Sequence, residues 1–151
     1  MMISRAANGA AAKALWNKGS RSLTAASTRM ASTLVISEPL NEDGSTPAGT
    51  QSTVTAATKL NNGNDIHLLV VGGTSPSKVP QGVSKVFHVP IDDKLSETVA
   101  SAVLEAATAT DDCNVVVGTA SKFGSTVVPR AAALLDVSPI TDILEILDES
   151  E

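Results

Sequence analysis

Apolar positions along this chain fall into two alternating patterns. Short β-branched runs at Thr33 to Ser37, Ile66 to Val71, Lys85 to Val89 and Asn114 to Val117 are bounded by Gly, Pro, Asn or Asp, which predicts strands buried in a parallel sheet. Between them the period lengthens to that of a helix. At about 100° per residue, Val54, Ala57 and Leu60 share one side of a helix over Thr50 to Leu60. Leu95, Val99, Ala102, Val103 and Ala106 share a face of a second helix, which Asp92 or Asp93 is expected to cap and which runs to about Thr108. Phe123, Val127, Ala131 and Leu134 form the stripe of a third, over Phe123 to Leu135, with Val128 and Leu135 beside it. After Ser138-Pro139, the apolar residues of Ile140 to Leu147 suit a fifth strand. Strands alternating with helices predict a three-layer α/β sandwich with a mostly parallel five-stranded sheet and right-handed crossovers.

The connections carry their own signals. Glu38 to Gly49, with two Pro, two Gly and three acids, reads as a long loop. Asn61-Asn62-Gly63-Asn64 closes the first helix, since Gly and Asn tolerate the left-handed conformation that ends helices. Pro76 and Pro80 leave room for no more than one helical turn between the second and third strands. Asp111-Asp112 makes the turn into the fourth.

The stretch from Asn114 to Asp142 passes through strand, polar turn and helix in under thirty residues. In open parallel sheets the loop leaving the carboxyl end of a strand is where ligands and partners usually sit, so Thr119 to Lys122 is the natural place to look for function. A plain strand-to-helix connection has the same composition. Pro129 lies inside the helical pattern, where it removes a backbone bond and is expected to kink the helix or mark a second start. Arg130 falls at the edge of the apolar stripe. Two readings of Lys122, Phe123 and Arg130 stand side by side: an anchor in which Arg130 pairs with Asp142, and a partner interface around an exposed Phe123.

Composition narrows the class. The chain has 151 residues, 42% of them apolar, with mean hydropathy +0.13, the profile of one globular domain. Two Phe, one Trp and no Tyr leave the core to Val, Leu, Ile and Ala. With pI about 4.9 and so few rings, a base-stacking nucleic-acid module is not expected. No run approaches the length of a membrane span.

Charge is unevenly spread. Arg5, Lys13, Lys18, Arg21 and Arg29 lie before Ser32 with no acid among them, and every acidic residue stands at Glu38 or later. Without that arm the formal charge moves from −5 to −10, since five of the eleven basic residues go with it. A basic, Ala- and Ser-rich, acid-free start predicts a mitochondrial transit peptide over residues 1–31, disordered and cleaved after Leu23 or near Met30; a disordered basic tail is the plainer alternative. The folded domain is then residues 32–151, and Trp16 is outside it. The single Cys113 precedes a buried strand and reads as a packed thiol.

Catalytic signatures are missing. Gly118 and Gly124 are separated by five residues with no Lys-Ser/Thr after them, which is not a phosphate loop, and no GxGxxG follows the first strand. Gly72-Gly73-Thr74-Ser75 could present amides to an anion, but a turn ending a buried strand needs the same residues. His67 and His88 lack ligand partners at metal spacing. No Ser has an identifiable base, and the Asp pairs read as cap and turn. No catalytic or metal-binding residue is expected.

The segments Thr33-Leu34-Val35-Ile36-Ser37-Glu38, Thr53 to Leu60, Leu69-Val70-Val71-Gly72 and Gly118 to Asp142, with Phe123-Gly124 six residues before Arg130 and the close Pro139-Ile140-Thr141-Asp142, occur in order and register. Together they resemble the N-terminal domain of the electron transfer flavoprotein alpha subunit, over about Thr33 to Asp148. The resemblance implies the adenine-nucleotide-hydrolase-like α/β sandwich of that domain. It implies membership of a heterodimeric carrier that takes electrons from mitochondrial acyl-CoA dehydrogenases to the quinone pool in the matrix. In that family FAD is held mainly by a second, C-terminal domain of the alpha subunit, and a beta subunit of related fold carries AMP. This chain, ending at Glu151, is expected to stop before the second domain, so no cofactor-binding residue is named in it and FAD is not expected to be retained by it alone. It is expected to be a non-enzymatic scaffold that binds the beta subunit and possibly a separate FAD-domain polypeptide, with Lys122, Phe123 and Arg130 as the candidate interface. Two alternatives are a stand-alone adenine-nucleotide-binding module and a noncatalytic structural subunit of a respiratory assembly.

Overall fold

The computed structural model of the chain describes residues 1–4, 32–60, 64–91, 93, 95–110 and 112–146. The rest of the basic arm with Trp16, residues 61–63 where the sequence places the close of the first helix, Asp92, Lys94, Asp111 and residues 147–151 lie outside the described residues. The elements in chain order are β1 (Met2–Ser4), β2 (Ser32–Ile36), α1 (Ala48–Leu60), β3 (Ile66–Val71), β4 (Lys85–Val89), α2 (Ser96–Ala109), β5 (Cys113–Gly118), α3 (Lys122–Leu134) and β6 (Pro139–Ile140).

They form one sheet with strand order β4-β3-β2-β5-β1-β6. The first four of these are parallel, with Leu34 level with both His67 and Val116. The α/β class and mostly parallel sheet are as the sequence predicts. Chain direction across the sheet reverses between β2 and β5, because β2 leads through α1 to β3 on one side while β5 lies on the other.

Two corrections concern the far edge. Met2–Ser4, expected to be disordered, pairs antiparallel with β5, Met2 opposite Val117 and Ser4 opposite Val115, giving six strands among the described residues. The fifth strand expected over Ile140 to Leu147 is reduced to Pro139–Ile140, which pairs with β1 and not with β5. Once β1 occupies the neighbouring place, β6 is left at the edge, and residues 141–146 run on without regular structure.

The core divides at the sheet. Leu34, Ile36, Leu69 and Val116 pack against Val99, Val103, Val127 and Ala131 of α2 and α3. On the opposite face Val35, Leu68 and Val70 meet Val54 and Ala57 of α1. Strand residues therefore alternate between two helical layers, which is why the strand runs are apolar throughout.

Helix limits also shift. α2 begins at Ser96, and its N-cap is Leu95, which has no side-chain cap and is 61% exposed rather than part of the apolar face. Asp93 acts two residues earlier: its carboxylate accepts from the Leu95 N–H at 3.0 Å and from the Thr98 hydroxyl at 3.1 Å. In α3 the buried stripe is Gly124, Val127, Val128, Ala131 and Ala132, while Leu134 is 50% exposed. Helix α3 runs through Pro129 without interruption. Ser121 caps it, accepting from the Gly124 N–H at 3.3 Å.

Candidate functional site

The reversal of strand order puts a crevice at the carboxyl ends of β2 and β5, the place where open α/β sheets bind ligands. Hydroxyls build it. The Glu38 N–H donates to Thr50 Oγ1 at 3.1 Å, fastening the end of β2 to the start of α1. Thr53 Oγ1 donates to the Gly49 carbonyl at 2.9 Å and lies 3.1 Å from Thr119 Oγ1, fastening α1 to the loop after β5. Thr50 and Thr53 are buried.

The crevice is tight and carries a negative group. A side chain at Gly49 would meet the Glu38 carboxylate, and one at Gly118 would stand 2.6 Å from Val128. Gly124 packs directly on the Thr119 carbonyl, and its own N–H is taken by Ser121. The Gly72 N–H, which an anion nest would need, donates to the Val89 carbonyl at 3.0 Å, while the Gly72 carbonyl lies 2.8 Å from His88 Nε2. The two glycine amides best placed for an anion, those of Gly72 and Gly124, are thus already taken within the fold, and the Glu38 carboxylate beside Gly49 would repel a phosphate at that point of the crevice.

Beside the crevice, a groove of about 810 Å³ opens on the α1 face of the sheet. Its floor is Val117, Met2 and Ile140, which are level with one another across β5, β1 and β6. Ala56 and Leu60 of α1 form one wall, and residues 143–146 the other. Ile140, Ile143 and Leu144 are 48%, 39% and 100% exposed. The amine of Met1 donates to the Gly118 carbonyl at 3.0 Å, and the Gly118 N–H donates back to the Met1 carbonyl at 2.8 Å. Burial pushes that amine below its usual range, and Asp142 opposes the shift.

The candidate interface residues are dispersed. Lys122 is exposed at the start of α3, whereas Phe123 is half-buried against the α2 and α3 side of the core. Arg130 is exposed and pairs with Glu97 of α2 rather than with Asp142. The reason is orientation: Arg130 looks along the α2–α3 contact, while Asp142 lies beyond β6 near the Met1 amine. Among the sequence candidates for chemistry, His67 is buried in β3 and stacks edge-on to Phe87 at 5.8 Å, and Cys113 is buried. No group of His, Cys, Asp and Glu among the described residues could hold a metal ion, and no described helix is long and apolar enough to cross a membrane. Thr119 lies in the loop the sequence marks as the place to look, but its bond to Thr53 and the part played by Thr50 were not legible, because threonines have no motif. The exposed Ile143 and Leu144 were visible only as part of an expected strand.

The dispersal of the candidates leaves the assignment to resemblance across the whole domain. Residues 33–151 match the family described as "Electron transfer flavoprotein domain". The chain is similar to the mitochondrial electron transfer flavoprotein subunit alpha of Arabidopsis thaliana, 32% identical over 133 residues, covering 82% of this chain and 36% of that protein. It is 35% identical over 127 residues to the probable mitochondrial alpha subunit of Caenorhabditis elegans, covering 78% of this chain and 36% of that one. A bacterial alpha subunit, from Pseudomonas aeruginosa, is 35% identical over 123 residues, with 76% of this chain and 37% of that protein covered. The chain thus spans little more than a third of the length of these curated relatives. With the family matched from β2 to the last residue, and the α/β sheet in agreement, the chain belongs to the electron transfer flavoprotein family.

Proposed function

We propose that this chain is an N-terminal alpha-subunit domain that serves as a scaffold in an FAD-dependent electron carrier of the mitochondrial matrix, between acyl-CoA dehydrogenases and the quinone pool. The observation that carries this reading is the family match over residues 33–151, combined with relatives that are alpha subunits of which the matched part covers little more than a third. Its partner is a beta subunit, with the FAD-binding part supplied by a separate polypeptide or by further sequence of its own. The tight, acidic crevice at Glu38 and Gly49 supports a scaffold role over flavin retention by this domain alone. FAD supplies the redox chemistry of the assembled carrier; the described residues contribute surfaces for assembly. Of these, Lys122 and Arg130 are exposed, and the half-buried Phe123 packs against the core beneath the helix that carries them. The basic arm over residues 1–31 is the mitochondrial address.

The test is reconstitution. Purified chain is expected to be colourless when mixed with FAD and desalted, to co-elute with a beta subunit in size-exclusion chromatography, and to stay unsaturated with AMP on its own. Stoichiometric yellow flavin on the isolated chain overturns the scaffold reading, AMP binding without flavin favours the adenine-nucleotide module, and failure to bind any beta subunit removes the proposed partner.

A further inference from the structure

The outer edge of β5 is held by an unusually small strand. Met1 exchanges both backbone bonds with Gly118, so by the alternation of antiparallel ladders Ile3 exchanges with Val116, and Met2 turns its backbone the other way, towards Ile140. β1 is three residues long and β6 two. A pairing this short at a chain end adds little stability of its own.

The next segment outward is suited to the same place. β1 runs antiparallel to β5 and β6 antiparallel to β1, so β6 is already parallel to β5, like every other strand of the main sheet. Ile140 is level with Val117 and Pro139 with Val116. An inward move of one strand spacing, about 4.8 Å, therefore brings residues 138–141 alongside Val115 to Gly118 with no slide along the strand. Pro139 faces Ile3 at a position whose missing N–H the ladder does not use, so it can sit in an edge strand beside β5 as it does beside β1. The move carries the half-exposed Ile140 onto Val117 and draws Ile143 and Leu144 towards the α1 groove, whose floor Met2 otherwise forms.

The geometry points to the outer edge of β5 as an exchangeable strand-acceptor site: Met1–Ser4 hold it in the full chain, and residues 138–141 take it when those four are lost. Removal of the arm, the processing step of the function proposed above, is one such event. The exchange itself rests only on strand order and register, and not on the family or its cofactor.

Hydrogen exchange by NMR on the full chain tests it, with Ile3→Pro removing the β1 donor that faces Val116. In the unaltered chain the Val116 and Gly118 amides are protected by β1. In Ile3→Pro the same amides are expected to keep protection within about tenfold, with new cross-strand contacts between Ile140 and Val117, because residues 138–141 replace the lost strand. Adding Ile140→Pro to Ile3→Pro is expected to lower that protection by about a hundredfold or more, whereas Ile140→Pro alone leaves it unchanged. Free exchange of both amides in Ile3→Pro, protection that appears only as the protein dimerises, or loss of cooperative folding in Ile3→Pro would each overturn the proposal. Flavin and beta-subunit binding enter none of these readouts, so the proposed function and the exchange fail separately.

Discussion

Gly124 has no room for a side chain, since a Cβ there would run into the Thr119 carbonyl at the first turn of α3. Gly124→Ala must push that backbone away and is expected to cost about 3 kcal/mol or more in urea denaturation. Gly49→Ala is expected to be milder, because the nearest obstacle is the end of the flexible Glu38 side chain. His67 gives a second residue-scale prediction. Burial lowers its pKa, Asp65 pulling it up and Lys85 pushing it down. The unfolded chain therefore takes up a proton near pH 6.5 that the folded state refuses, and stability is full above that value and declines as pH falls below it. A His67→Leu variant is expected to lose less of its urea midpoint than the parent between pH 7.5 and pH 5. The first of these effects is hidden in the sequence, where Gly124 reads as the second glycine of a spurious phosphate loop. The second is half legible, since a histidine among Ile66, Leu68 and Leu69 is visibly in a strand although its partners are not.

At the scale of elements, α1 shows how a sequence poor in helix formers still makes a helix. Ser52, Thr53, Thr55 and Thr58 each satisfy their hydroxyl on the carbonyl four residues back, which does not itself favour the helix, while Lys59 sits in the last turn, where the helix dipole favours a cation. Burial of Val54 and Ala57 supplies what propensity does not. In α3, Pro129 has no N–H for the Ser125 carbonyl, yet the helix continues past it. Pro129→Ala is expected to raise stability by about 1–3 kcal/mol, a proline's usual cost in a helix interior less what its half-buried ring contributes. Circular dichroism melts would reveal the opposite sign if the ring's packing dominates. Strands β2, β3, β4 and β5 were legible because β-branched runs between turn residues have few other uses. Their helices were legible by period, but not in rotation: the buried side of α3 turned from Leu134 towards Val128 and Ala132, an angle that only the neighbouring α2 fixes. β1 was illegible because three residues carry no period.

At the scale of the whole molecule, the layers are uneven among the described residues: two helices cover one face of the sheet and one covers the other. The class was readable from alternation alone, whereas the strand beside β5 was not, because two segments far apart in sequence suit that edge and composition does not rank them. The same unevenness extends to what holds each side. Across α2 and α3 the visible surface tie is the ion pair of Arg130 and Glu97, whose side chains are 51% and 62% exposed. Arg130→Ala is expected to cost less than about 1 kcal/mol, and nothing measurable in molar salt. At the crevice, by contrast, α1 is clasped to the β5 loop by the neutral hydroxyls of Thr53 and Thr119. Thr119→Val is expected to cost about 1 kcal/mol at any ionic strength, measured by urea titration with and without salt. The clasp is therefore blind to the ionic medium: salt can release the Arg130–Glu97 tie on the two-helix side, which its apolar core still holds, while the bond between α1 and the end of β5 stays as it is.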